Sequence, residues 1–138
     1  MYGWLTIKGK RYYVNAYSGR ATGYTTIYNK LYLFNKKGQL TKCLNYQNGW
    51  QNIGGNKYYF HEGDVVTGTH TIKGKTYLFD YDGKLVRNAS SGSYFADKNG
   101  VIIRNAWRKV NGRLVYYGKT GSSLTGVWKI GKKVYYFN

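Results

Sequence analysis

A chain of 138 residues with 22 Lys and Arg against 5 Asp and Glu, a formal charge of +17, is long enough for one ordinary domain and favours anionic partners. The lone Cys43, expected to be a small and partly buried side chain, excludes an internal disulfide framework and a thiolate metal cluster, and no run of about 20 apolar residues is present to span a membrane. Seventeen Tyr, four Trp and five Phe make 19% of the chain aromatic and proline is absent, so rings stand in for branched aliphatics and turns fall to Gly and Asn.

Reading from the N-terminus, GWLTIKGKRYYV (3–14) alternates apolar and polar residues on both sides of a Gly-Lys turn. Period two around such a turn predicts a hairpin with arms of about five residues. The phrase returns as GYTTIYNKLYLF (23–34), GWQNIGGNKYYF (49–60), GTHTIKGKTYLF (68–79), AWRKVNGRLVYYG (106–118, one residue longer) and GVWKIGKKVYYF (126–137). Glycine-bearing stretches follow the first five copies: YSGRAT, KKGQLT, EGDVVT, YDGKLV and KTGSSLT. A further stretch, GSYFADKNGVIIRN (92–105), keeps only the second half of a unit. The units therefore run over 3–22, 23–48, 49–67, 68–91, a partial 92–105, 106–125 and 126–138.

An isolated two-stranded hairpin is at best marginally stable in water, so each unit has to bury its faces on its neighbours. The expected fold is all-β, a β-solenoid of tandem β-hairpin repeats forming a single repeat domain. A start already inside a repeat suggests the C-terminal part of a longer surface protein.

The acids point away from catalysis. Glu62, Asp64, Asp82 and Asp97 fall in the glycine-bearing stretches and Asp80 just before one, where carboxylates bond turn backbone. No facing carboxylate pair of the kind glycoside hydrolysis needs is apparent. His61 and His70 have no partner at ligand spacing, Ser90, Ser91 and Ser93 lack a nucleophile elbow, and the glycines form no phosphate loop. The reading is a non-catalytic chain with no metal and no cofactor.

The phrase GW..I.GK.YYF followed by G...TG resembles the cell-wall or glucan-binding repeat superfamily. That superfamily takes in the C-terminal repeats of glucan-binding proteins and glucansucrases, clostridial toxin repeats and, more distantly, choline-binding modules. The resemblance implies an extracellular, cell-wall-associated role: anchoring a surface or secreted bacterial protein to α-glucan or to teichoic or lipoteichoic acid, with ligands held between consecutive repeats. The expected ring contacts are Trp4, Tyr24, Trp50 and Trp107 in the opening slot, Trp128 one place later, and Tyr12, Tyr32, Tyr58, Tyr77, Tyr116 and Tyr135 on the second arm. The expected contacts to an anionic polymer are Lys8, Lys10, Lys30, Lys57, Lys73, Lys75, Arg108, Lys109, Arg113, Lys132 and Lys133 near the turns. An adhesive, self-associating repeat and a basic-aromatic nucleic-acid-binding module remain as alternatives.

Overall fold

The computed structural model describes residues 2–138, and among these every regular element is a strand. The first hairpin pairs β1 (Gly3–Ile7) with β2 (Lys10–Asn15), and β3 (Gly19–Arg20) adds to its edge. The second pairs β4 (Gly23–Ile27) with β5 (Lys30–Phe34), followed by β6 (Leu40–Leu44). The third pairs β7 (Asn48–Ile53) with β8 (Asn56–His61), edged by β9 (Asp64–Val65). The fourth is β10 (Gly68–Ile72) with β11 (Lys75–Phe79), and the fifth is a short pair, β12 (Ala89–Ser91) with β13 (Tyr94–Ala96). The sixth is β14 (Ala106–Val110) with β15 (Arg113–Tyr117), and the seventh is β16 (Gly126–Ile130) with β17 (Lys133–Phe137).

Two expectations change here. The stretch read as half a unit has both arms, because β12 lies upstream of its turn glycine, in residues assigned to the preceding unit. The sixth hairpin is not longer than the others: Ala106 pairs with Tyr117 just as Gly3 pairs with Val14, so Gly118 already belongs to the following turn.

The turns explain the composition. Lys8 and Gly9 have φ of 50° and 78°, and Asn111 and Gly112 have 51° and 79°. Two successive positive φ values are the mark of the two-residue turn whose twist suits a β-hairpin. Such a turn fixes the register: Ile7 faces Lys10, Thr6 faces Arg11, Leu5 faces Tyr12 and Trp4 faces Tyr13. Cross-strand partners share a face and neighbours along a strand do not. Each hairpin therefore has a front face, carrying Trp4, Tyr13, Thr6 and Arg11 in the first copy, and a back face, carrying Leu5, Tyr12 and Val14.

The chain forms two compact units, one running to Thr67 and taking in Asp82–Lys84, the other holding Gly68–Tyr81 and Leu85–Asn138. In the first unit the front of the second hairpin meets the back of the third. Leu31, with Leu33 packed alongside, joins Ile53, Tyr58, Phe60, Leu44 and Val65 in one buried cluster. In the second unit, Leu78 from the front of the fourth hairpin packs with Ala96 and Ile102, flanked by Val86 and Tyr94. Aliphatic side chains are thus scarce in the sequence but concentrated where hairpins meet. Cys43 is exposed on β6, opposite Tyr32 on the side away from β4, which corrects its expected partial burial.

The glycine-bearing loops stack as well. Asn35 Oδ1 accepts from the amides of Lys37 and Gln39, and Asp97 Oδ1 accepts from those of Asn99 and Val101. Asp97 therefore serves as a turn former. The next glycine along is buried at Gly38, Gly63, Gly83, Gly100 and Gly121. A Cβ at Gly83 would stand 2.8 Å from a Val65 methyl, and one at Gly121 2.7 Å from Ile102. Gly83 and Gly121 thus let their loops settle on the side chain of an earlier one. Backbone bonds tie successive segments together: Val65 N–H to Asn29 O, Leu78 N–H to Gly100 O and Ile102 N–H to Thr76 O.

Two titrating groups give the fold an alkaline limit. The Lys30 ammonium bonds Asp64 Oδ1 at 2.6 Å, and that bond raises its pKa above the ordinary 10.5. Burial raises the Tyr117 hydroxyl above 10.0. In both cases the folded chain holds its proton more tightly than the unfolded one, so stability is intact below these ordinary values and falls as pH rises through the shifted ones. Urea midpoints should stay level from neutrality to about pH 10 and decline above it, with a shallower decline in a Tyr117→Phe, Lys30→Met double variant. An equal slope in that variant would assign the alkaline loss to other groups.

Candidate functional site

The rings gather where consecutive hairpins meet, in two matching clusters. At the first, the Trp4 ring lies 5.3 Å from Tyr13 on its own hairpin and 5.0 Å from Tyr32 and 5.9 Å from Phe34 on the back of the next. At the second, Trp107 lies 4.9 Å from Tyr116, 4.9 Å from Tyr135 and 5.8 Å from Phe137. The Tyr contacts are edge-to-face in both, the geometry that ring quadrupoles favour. Tyr13 and Tyr116 are the cross-strand partners of the two tryptophans, and the Tyr and Phe from the next hairpin occupy identical register positions. All four members of each cluster are partly or fully screened from solvent, and Trp4 and Trp107 remain half-buried.

Parity sorts the other expected ring contacts. Tyr12, Tyr32, Tyr58, Tyr77 and Tyr135 are truly equivalent, each paired with the residue two places after its hairpin's opening glycine and on the back face. Tyr116 is not their counterpart: it faces Trp107 across the strands, so it matches Tyr13 and Tyr59 on the front face. Tyr58 departs from the expected set through burial instead. It is 1% exposed, enclosed in the core with Leu31 and Phe60, and offers no surface to a ligand. Tyr12 receives a hydrogen bond from the Gln39 amide and carries the Arg20 guanidinium over its ring at 5.0 Å. Tyr24 is more exposed and rests against the Gly54 turn of the third hairpin, where a Cβ would come within 2.6 Å of its ring. Trp50 stacks edge-on against Tyr59 at 5.2 Å, and Tyr77 is half-buried and bridged to Val101.

Trp128 shows what one residue of slippage does. It pairs with Tyr135 instead of Tyr136, which turns it onto the back face. There it lines a groove of about 560 Å³ with Tyr116, Leu124, Lys119 and Lys129, and its indole N–H donates to Thr125 O at 2.8 Å. The corresponding groove between the first and second hairpins, about 440 Å³, is lined by Tyr13, Arg20, Thr25, Thr26 and Tyr28, with Thr25 in the place of Trp128.

The expected cations divide into free and committed ones. Lys8, Lys10, Lys73, Lys75, Lys109, Arg113, Lys132 and Lys133 are exposed beside the turns. Lys30 is neutralised by Asp64. Lys57 lies over the Trp50 ring at 4.8 Å, while Arg108 lies over Phe95 at 5.6 Å and donates to Trp107 O. Arg11, absent from the expected contacts, sits over Trp4 at 4.3 Å. Counting back from the turn would have found it, since Arg11 shares the front face with Trp4 one pair further in. The same count yields Tyr13; Phe34 and Phe137 emerge only once hairpins are stacked.

A protein family described as a cell wall binding repeat matches residues 3–16 and 48–64. Those two segments hold the Trp4 and Trp50 hairpins, the first of which frames a ring cluster. In these two segments the chain is similar to the cell wall binding repeat. Curated relatives of these repeats include Glucosyltransferase-I of Streptococcus downei, 28% identical over 90% of the chain, and Glucosyltransferase-S of Streptococcus mutans, 31% identical over 95%. The chain spans 8% and 9% of the length of those two proteins. Among solved structures, the modular autolysin LytC of Streptococcus pneumoniae shares the fold at 22% identity and a TM-score of 0.55, over 97% of this chain and 31% of that one. Choline binding protein F of Streptococcus pneumoniae, solved in the presence of a peptidoglycan analogue, does so at 23% and 0.51, over 99% of this chain and 49% of that one.

Proposed function

We propose that this chain is a non-catalytic polymer-binding module that anchors a larger secreted or surface protein, outside the cell, to α-glucan or to an anionic wall polymer of the teichoic type. The observation that carries the reading is the recurrence of one ring cluster, Trp with two Tyr and a Phe, at two separate junctions between hairpins. A sugar presents an apolar C–H face to such rings and its hydroxyls to Tyr oxygens and nearby amides. Exposed lysines at the turns add a term that draws in phosphate by displacing its counterions. The front-to-back packing of hairpins within each unit supports reading the repeats as a β-solenoid. Repeated weak sites on one chain suit a repetitive polymer, because tethered sites raise avidity without new contacts. The relatives' place in glucosyltransferases supports the glucan arm.

The test is retention on immobilised α-glucan and on immobilised polyglycerol phosphate as salt is raised. Glucan retention should survive high salt, whereas retention on the phosphate polymer should weaken steeply. Failure to be retained on either polymer at low salt would overturn the proposal.

A further inference from the structure

The two ring clusters match in every aromatic member but differ at one register position. On the first hairpin the front-face pair next to Trp4 and Tyr13 is Thr6 with Arg11; on the sixth, the pair next to Trp107 and Tyr116 is Lys109 with Leu114. Arg11 lays its guanidinium 4.3 Å above the Trp4 ring. Leu114 carries no charge and is 59% exposed, and no cation of the described residues lies over Trp107.

A guanidinium stacked on an indole uses its face and leaves its N–H edges pointing outward. Among the described residues Arg11 makes no hydrogen bond or ion pair, so those edges are uncommitted. This arrangement has two consequences. The Trp4 face that Arg11 covers is closed to a sugar ring, and the same arginine presents a flat fork suited to two oxygens of a phosphate. At Trp107 neither holds: the ring lacks that cover, Lys109 on the same face is not stacked on it, and Arg108, anchored over Phe95, belongs to the back face.

We propose that Arg11 and Leu114 are specificity-determining residues, making the Trp4 cluster a site for the phosphate of an anionic polymer and the Trp107 cluster a site for a neutral pyranose. This rests on the polymer-binding reading and divides its two ligand classes between named places. Both side chains are exposed, so exchanging them leaves the cores untouched.

The experiment follows the indole N–H signals of Trp4 and Trp107 by NMR, using glycerol 3-phosphate and isomaltotriose as separate probes. Glycerol 3-phosphate should shift Trp4 and leave Trp107 still; isomaltotriose should do the reverse. Arg11→Leu should weaken the phosphate response at Trp4 about tenfold, because a charge-assisted bidentate contact is lost. The same variant should let isomaltotriose reach that ring, and Arg11→Lys should keep only part of the phosphate response. Leu114→Arg should create a phosphate response at Trp107. Unchanged dispersion of the remaining indole signals verifies that each variant is folded. If each probe moves both indoles alike in the native chain, or if Leu114→Arg gains nothing, the division of roles is wrong while polymer binding stands. Silence of every indole toward both probes overturns the division together with the reading beneath it.

Discussion

Replacing Phe60 with Ala should lower the stability of the first unit by about 3–5 kcal/mol, the usual cost of removing a large ring from a closed core. Phe60 is 0% exposed and sits with Leu31, Leu44, Ile53, Tyr58 and Val65, while the Tyr46 ring lies edge-on at 5.5 Å. The loss combines the apolar area that no longer leaves water with a cavity that the flanking strands cannot close, since each is pinned by ladder bonds. Against a total of about 5–15 kcal/mol for an ordinary domain, that is a large fraction. The control is Tyr17→Ala: an equally bulky ring but 99% exposed, for which a change within about 0.5 kcal/mol is expected. Urea unfolding followed by far-ultraviolet circular dichroism reads both. A cost below about 1 kcal/mol for Phe60→Ala would mean that the front-to-back packing between the second and third hairpins is not what stabilises the unit.

The second large effect concerns a residue with no side chain. Gly83 is buried with φ of +84°, and an added Cβ would approach Val65 Cγ2 to 2.8 Å and Val65 Cβ to 2.9 Å. Gly112 has nearly the same φ, +79°, but nothing within 4 Å of the would-be Cβ. Gly112→Ala should cost only the backbone strain, about 1 kcal/mol. Gly83→Ala should add roughly 1–3 kcal/mol of overpacking, because Val65 is 2% exposed and branches at Cβ, so it has no flexible end to swing aside. Thermal or urea unfolding of the two variants separates the terms directly. Equal costs would show that the stacked loops contribute no packing of their own.

How much could be read in advance follows from these same residues. The hairpins were legible, since alternation and Gly-containing turns are local properties, and so was the need for hairpins to cover one another. The exact face of each ring was legible in principle: a two-residue turn fixes the register, which places Tyr13 opposite Trp4 and Tyr116 opposite Trp107 and turns Trp128 to the back. Tyr116 stands one place off the Tyr12 set because Val115 holds that register position in its hairpin. The fate of Tyr58 was not legible in its own hairpin. It equals Tyr32 in register and differs because the preceding hairpin offers Leu31 where the first offers Arg11. Similarly, the reason for the buried loop glycines lies in Val65 and Ile102, each contributed by an earlier loop. Local pattern gives the element; the neighbouring copy decides whether its ring becomes core or site.

The central claim is that the ring clusters at the hairpin junctions hold the polymer. The most direct measurement is the affinity of the Trp4→Ala, Trp107→Ala double variant for α-glucan and for polyglycerol phosphate, beside the native chain and with folding checked by circular dichroism. The account predicts a folded variant whose retention falls at least about tenfold on both polymers, about 1.4 kcal/mol each, because glucan loses the Trp107 face and the phosphate polymer loses the ring that holds Arg11 in place. Full retention by a folded double variant would contradict it.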